Sequence, residues 1–212
     1  MGTSAIVTPR YFPDNSAWSR PALCHNLQIG AATGAAGWDF ALLDRAVGPL
    51  CTASMREVSR EELRSCCASA TWVSAVAERR PYRDLDGLRR AGEAAMAALS
   101  WPDVLEALAA HPRIGERAAG DGRETAWSRG EQAGTADADR QVLDALREGN
   151  AAYESRFGHV YLVCATGRSA EEMLGLLRVR LANDAEAERA VVREELGKIA
   201  DLRLAKLWQE AR

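Results

Sequence analysis

Apolar residues recur every three or four positions over most of the chain beyond Trp38, which is the spacing of amphipathic α-helices. The stretch 59–81 follows this spacing but contains a break at Ala68–Ser69, so it predicts either one helix or two short ones. The predicted helices, in chain order, are 59–81, 84–100, 100–111, a short helix from about Ser128 after a loop, 136–158, 169–183 and 184–208.

One short run, His159 to Ala165, is instead rich in β-branched and aromatic residues and predicts an extended segment. No second run offers it a partner strand, and an isolated strand leaves backbone groups unpaired. We therefore interpret it as a connector that crosses the helical core. The predicted fold is all-α, a single compact domain of about seven or eight helices with this short extended connector.

The first 36 residues differ from the rest of the chain. They contain three prolines, several glycines and serines, and no sustained period of two or 3.6 residues. We predict a flexible N-terminal extension over residues 1–36 and one helical domain over residues 37–212.

Composition and charge exclude several classes of protein. The chain is 47% hydrophobic and 27% charged, as expected of a folded globular protein. Its net charge is −3 with both signs interleaved, so we expect no nucleic-acid partner. No run reaches the roughly 18 apolar residues that span a bilayer. We therefore expect no membrane partner and a cytoplasmic location.

His111 and Glu131 are the main candidates for chemistry. His111 ends a predicted helix just before Pro112, and Glu131 follows a polar, glycine-containing interval. Histidine has an unperturbed pKa of about 6.5, and a contact with Glu131 would hold the ring and favour its charged form. The pair is a candidate general acid/base, although a histidine in this position is also typical of a helix end bonded to a carbonyl. Fingerprints of nucleotide-cofactor sites and zinc hydrolases are absent from the sequence.

Five ordered segments resemble the OHCU decarboxylase family, named for 2-oxo-4-hydroxy-4-carboxy-5-ureidoimidazoline. They are HPRIGE (111–116), WSRGEQAG (127–134), NAAYESRFGHVYLVCATGRSAEEML (150–174), RLAND (180–184) and IADLRLAKL (199–207). The resemblance runs from about Trp38 to Trp208. It implies an all-helical enzyme without a cofactor, which converts OHCU into (S)-allantoin and CO2 in urate breakdown, a part of purine catabolism.

The resemblance also implies roles for individual residues. The family's catalytic histidine matches His111, followed by Pro112, and its Ser-x-x-Glu-Gln element matches Ser128, Glu131 and Gln132. His111 paired with Glu131 would move the substrate hydroxyl proton or the new C–H proton. Ser128 and Gln132 would hydrogen-bond the polar edge of the ureide.

Further contacts are implied near the C-terminus and at the connector. The family's C-terminal arginine best matches Arg203, which would hold a carboxylate or ureido oxygen, and Arg180 is the competing candidate. Phe157 and Gly158 match a segment whose backbone approaches the ligand. His159 stands where many members have an aromatic residue, and we interpret its role as structural or as part of a wall.

The implied partners are a small-molecule ureide substrate and, as a possibility from relatives, a second copy of the chain in a homodimer. Two other interpretations stay open at this point. One is a non-catalytic helical interaction module whose motifs serve packing alone, and the other is a metal-dependent hydrolase.

Overall fold

The computed structural model describes residues 55–116, 122–136 and 138–210. The predicted extension, 1–36, lies outside these ranges, as do residues 37–54 at the start of the predicted domain. Within them the chain forms eight α-helices and one 3-10 helix, and its β-structure is limited to a bridge between Arg56 and Tyr82. The helices are α1 Arg60–Cys66, α2 Ala70–Ala77, α3 Leu85–Ala98, α4 Trp101–Leu108, α5 Arg123–Glu131, α6 Arg140–Phe157, α7 Ala170–Arg180 and α8 Ala185–Glu210, with the 3-10 helix Ala133–Thr135 after α5. The all-α prediction is confirmed.

Serine caps explain where several helices begin. Ser59, Ser100 and Ser169 each accept a hydrogen bond from the backbone N–H three residues later, while the acidic side chain at that position accepts from the serine N–H. The acidic residues that follow each of these serines in the sequence predict all three caps, and all three are confirmed. The stretch 59–81 forms two helices, because a second serine, Ser69, caps α2 after the break.

Helix α5 corrects the sequence prediction. It begins at Arg123, after Gly122, and not near Ser128. Its residues have no apolar stripe, so its helical structure depends on tertiary packing more than on pattern. The earlier start places Ser128 and Glu131 inside the helix, three positions apart on one buried face.

Helix α6 begins at Arg140, later than predicted, and ends at Gly158 as predicted. Gly158 has a φ of 76°, the left-handed conformation that glycine adopts at helix ends. Helical spacing predicts that Ala109 and Ala151 face the core, but both are exposed. Ala109 lies beyond the last residue of α4, and in α6 the buried place belongs to Asn150, the residue before Ala151.

Two buried clusters meet at the connector. The first contains α1 to α4 and α8, and the second contains α6 and α7. Side chains of the connector alternate between them: Leu162 belongs to the first cluster, Tyr161 and Val163 to the second. Alternation with a period of two is the signature of extended backbone, so the prediction of an extended connector through the core is confirmed. None of the described helices combines the length and apolar character needed to cross a membrane.

Candidate active site

A narrow cavity lies between α5, α8, the connector and the turn that follows α4. Six of the eight residues predicted for the site line it: His111, Pro112, Ser128, Glu131, Gln132 and Arg203. Its volume is about 20 Å³, room for about one water molecule. Several surface hollows are larger, up to about 800 and 740 Å³, but most of the polar side chains that the family motifs singled out converge on the narrow cavity.

His111 is held by the end of α4. Its backbone N–H donates to the Leu108 carbonyl at 2.9 Å, and its ring Nδ1 lies 3.0 Å from the Ala107 carbonyl oxygen. A carbonyl only accepts, so this contact assigns the ring proton to Nδ1. Nε2 is buried and has no hydrogen-bond partner among the described residues. His111 therefore presents a buried lone pair at the cavity.

Burial also sets the charge of His111. Loss of solvation and, less strongly, the positive charge of Arg203 lower the pKa of the imidazole to about 4, although the Ala107 carbonyl and Glu131 oppose this shift with smaller effects. His111 is therefore neutral at neutral pH. Glu131 favours the charged form of the ring, as expected, but desolvation outweighs the carboxylate.

Glu131 pairs with Arg203 and not with His111, which corrects the predicted pairing. Arg203 is 1% exposed and donates from Nε and Nη2 to the two Glu131 oxygens at 3.1 and 2.9 Å. Its Nη2 also donates to the Ser128 hydroxyl at 3.0 Å, and Lys206 Nζ reaches Glu131 at 3.3 Å. A two-point contact with a guanidinium is the strongest partner available to a buried carboxylate, so Glu131 faces α8.

Gln132 fastens the turn that carries His111. Its Oε1 accepts the Gly115 N–H at 3.0 Å, and its Nε2 donates to the Arg113 carbonyl at 3.4 Å. Gly115 has a φ of 84°, a backbone conformation that residues other than glycine rarely adopt. Asn150 adds a hydrogen bond to the Ile114 carbonyl at 2.9 Å. The Gln132 amide is thus engaged by the protein itself at the edge of the cavity.

Comparison with known proteins assigns this chain to a family. A family model described as OHCU decarboxylase matches residues 52–205, most of the chain. The chain belongs to the OHCU decarboxylase family. A crystal structure of an OHCU decarboxylase in the presence of (S)-allantoin has a TM-score of 0.63 and 28% identity, and the match covers 72% of this chain and 99% of that one.

Curated relatives extend this comparison. A uric acid degradation bifunctional protein from Arabidopsis thaliana is 28% identical over 73% of this chain and 48% of its own length. OHCU decarboxylases from Amia calva and Haloferax volcanii are 39% and 30% identical, over 47% and 63% of this chain and 58% and 79% of theirs. The match thus spans about half the length of the first two relatives.

The match to the OHCU decarboxylase family left two arginines as candidates, and the structure separates them. Arg180 does not line the cavity. Its guanidinium donates to Glu188 at 2.8 and 2.6 Å and to the Leu162 carbonyl at 2.6 Å, in a buried group with Tyr153. Arg203 lines the cavity between α5 and α8. Arg180 therefore belongs to a buried ion pair.

Phe157 and Gly158, the other residues transferred from the OHCU decarboxylase motifs, lie outside this cavity. The Phe157 ring packs 4.7 Å from Tyr153, and Gly158 is exposed at the end of α6. The reason is that the connector reaches the cavity only four residues after Gly158. His159 packs between aromatic rings, with ring centroids 5.3 Å from that of Trp101 and 5.5 Å from that of Tyr153, and it does not line the cavity, so these contacts favour a structural role.

The connector residues that line the cavity include Val163, which was not among the predicted contacts. Leu162 and Cys164 have polar partners in Arg180, Glu195 and Arg168. In extended backbone the polar groups of successive residues point to opposite edges. The Val163 N–H and C=O therefore point the other way, and neither has a partner among the described residues. The missing partner strand was the sequence signal that could have indicated these unpaired groups.

Proposed function

We propose that this protein decarboxylates OHCU to (S)-allantoin, in the degradation of urate. The observation that carries the proposal is the buried, neutral His111, whose unpartnered Nε2 shares one cavity with the Glu131–Arg203 pair. Membership of the OHCU decarboxylase family supports the choice of substrate. In this proposal the site binds a small ureide and uses a base to begin the reaction.

The first step is proton transfer from the substrate hydroxyl. Neutral His111 accepts this proton at Nε2, while Nδ1 keeps its hydrogen bond to the Ala107 carbonyl. The ring then carries a positive charge next to the anion that it has formed. Because His111 is already neutral and unpartnered, no proton or hydrogen bond has to be removed before the step.

The second step is loss of CO2. The bond from the ring carbon to the carboxylate breaks, and its electron pair moves into the ring to form an enolate-like intermediate. Arg203 places a positive charge in the cavity wall, and the Ser128 hydroxyl, which accepts from Arg203, keeps its own hydrogen for the substrate. Donors aimed at the developing charge stabilise the transition state more than the ground state.

Proton return completes the reaction. The imidazolium gives back one proton and solvent supplies another, so that one molecule of OHCU carboxylate and one solvent proton yield (S)-allantoin and CO2. His111 lies on one side of the cavity, which favours addition to one face of the ring and hence one enantiomer. Glu131 holds Arg203 and Ser128 in place throughout.

We further propose that the Val163 backbone binds the ureide. An amide edge presents an N–H beside a C=O, and the Val163 C=O and N–H offer the complementary acceptor and donor. Apolar side chains, among them Ile199 and Leu202, complete the wall. Because a ureide is several times larger than water, its entry requires the residues around the narrow cavity to move apart.

A stereochemical assay tests the proposed function. Freshly generated OHCU is mixed with the purified protein, and the circular dichroism of the allantoin formed is followed. We expect a rapid signal with an excess of the (S) enantiomer. Racemic allantoin formed at the spontaneous rate would contradict the enzyme and favour the non-catalytic interaction module.

The homodimer and the cytoplasmic location stay predictions. Sedimentation velocity on the purified protein tests the first, and a monomer at micromolar concentration would contradict it. Fluorescence microscopy of a tagged chain in its own cell tests the second, and a signal confined to another compartment would contradict it.

A further inference from the structure

The connector is fastened to α8 along one edge. The fully buried carboxylate of Glu188 holds Arg180, which donates to the Leu162 carbonyl at 2.6 Å. Two residues further along the connector, Glu195 Oε2 accepts the Cys164 N–H directly at 2.7 Å. Two carboxylates of one helix therefore fix the connector on both sides of Val163.

Glu195 is unusual for a glutamate because its side chain is mostly buried, with 7% of the residue exposed. Its second oxygen accepts from Lys198 Nζ at 2.7 Å. A hydrogen bond from a backbone N–H to a carboxylate is stronger than one to a neutral acceptor, and burial of the carboxylate requires such a partner. The Cys164 N–H is therefore tightly held.

The position of Glu195 on α8 relates it to the cavity. Glu195, Ile199 and Arg203 follow at intervals of four residues, so they lie on one face of the helix. Ile199 and Arg203 line the cavity, and Val163 lines it from the connector. One rigid helix face thus holds both the cavity arginine and the backbone segment next to it.

We propose that Glu195 is a positioning residue for the decarboxylation. Its hydrogen bond to Cys164 sets the connector so that the Val163 N–H and C=O face the substrate beside His111 and Arg203. The inference rests on the proposed function and adds to it a residue that does not line the cavity. Glu195 acts through the backbone and does not itself touch the substrate.

Kinetics of three variants test this inference in the full-length protein. Glu195→Ala removes the acceptor, and we expect kcat/KM to fall by about 10- to 100-fold, since a misplacement of about 1 Å can cost ~100-fold. We also expect a smaller excess of (S)-allantoin. Glu195→Gln keeps an oxygen that accepts the Cys164 N–H, so we expect this variant to retain most of the kcat/KM that Glu195→Ala loses.

Glu194→Ala is the matched control. Glu194 is exposed on the same helix and pairs with the same lysine, Lys198, at 2.7 Å. It makes no contact with the connector among the described residues, so we expect its kcat/KM and product stereochemistry to match those of the wild type.

Two outcomes would overturn the positioning role alone. In the first, the wild type is active and folded Glu195→Ala has the same kcat/KM and the same enantiomeric excess, even if the variant melts at a lower temperature. The other is an equal loss in Glu195→Gln and Glu195→Ala. A wild type that fails to accelerate OHCU decarboxylation would instead overturn the proposed function, and with it the role that rests on it.

Amide hydrogen exchange at Cys164 gives a readout independent of activity. We expect this exchange to be faster in Glu195→Ala than in the wild type. Unchanged exchange would contradict the hydrogen bond.

Discussion

At the scale of single residues, the chemistry of His111 follows from the different surroundings of its two ring nitrogens. Nδ1 donates to the Ala107 carbonyl, and Nε2 is buried without a partner among the described residues. The hydrogen bond of Nδ1 determines the tautomer, and the absence of a partner at Nε2 leaves this nitrogen able to accept a proton in the cavity. The interpretation as a helix-end residue bonded to a carbonyl is confirmed, and this bond also orients the ring for the proposed chemistry.

Replacement of His111 by asparagine removes the base. General acid–base catalysis contributes about 10²- to 10⁴-fold, so we expect a loss of this size in kcat with helicity unchanged. Stopped-flow circular dichroism with fresh OHCU measures the rate. His159→Asn is the control, since His159 lies outside the cavity, and near-wild-type turnover in His111→Asn would contradict the assignment.

The pH dependence of the reaction reports the charge of His111. Its pKa is lowered to about 4 by burial and by Arg203, and in the proposed mechanism the neutral ring is the active form. Protonation therefore removes activity as the pH falls, and we expect kcat/KM to stay level from neutrality to about pH 5 and to decline below it. A decline centred at pH 6.5 or above would show a solvated imidazole. The decline should disappear from the residual activity of His111→Asn.

At the scale of elements, the site depends on how α5 and its 3-10 extension meet the connector. Ser128 and Glu131 face α8 from the C-terminal half of α5, and Gln132 is the C-cap of that helix. Gly134 then passes so close to the chain after the connector that a Cβ would lie 2.0 Å from the Arg168 carbonyl oxygen. Backbone cannot yield at such a distance, so this contact requires glycine.

Gly134→Ala tests that close approach. We expect the added methyl to push α5 away from the connector and to lower the free energy of unfolding by about 1–3 kcal/mol, with a fall in kcat/KM because Glu131 and Gln132 shift. Urea unfolding followed by circular dichroism measures the first effect. Gly130→Ala is the control, because nothing lies within 4 Å of its Cβ position. Equal stabilities of the two variants would contradict the prediction.

At the scale of the whole molecule, one buried polar group joins α6, α7, α8 and the connector. Glu188 accepts from Arg180, from the Tyr153 hydroxyl and from Asn183 at 2.7 Å. Burial and the bond to Glu188 raise the pKa of Tyr153, so its hydroxyl stays protonated and donates. Each member has its partners, which is the condition for a buried ion pair to be tolerated.

Tyr153→Phe removes one member of this group. The hydroxyl binds a carboxylate, and hydrogen bonds to charged groups contribute about 1.5–3 kcal/mol, so we expect a loss of this size in the free energy of unfolding. Tyr161→Phe is the matched control, because its hydroxyl donates to a neutral carbonyl, that of Met173, at 3.1 Å. We expect it to cost less, about 0.5–1.5 kcal/mol. Equal costs in urea unfolding would show that the charge of Glu188 does not matter.

Local pattern by itself determined the helical class, the caps at Ser100 and Ser169, the helix end at Gly158 and the extended connector. These features depend on contacts between residues that are close together in the sequence, so the sequence pattern is enough to predict them. The ordered motifs likewise brought His111, Glu131 and Arg203 together as candidates and indicated the family, whose model then matched most of the chain.

Tertiary structure alone decided which of these groups meet. Glu131 binds Arg203 and leaves His111 neutral, because the packing of α5 on α8 buries the carboxylate beside a guanidinium and takes the imidazole out of water. The choice between Arg203 and Arg180, and the presence of Val163 in place of Gly158 at the cavity, likewise depend on residues far apart in sequence. Desolvation and the facing of helices are properties of the packed molecule, and no local spacing contains them.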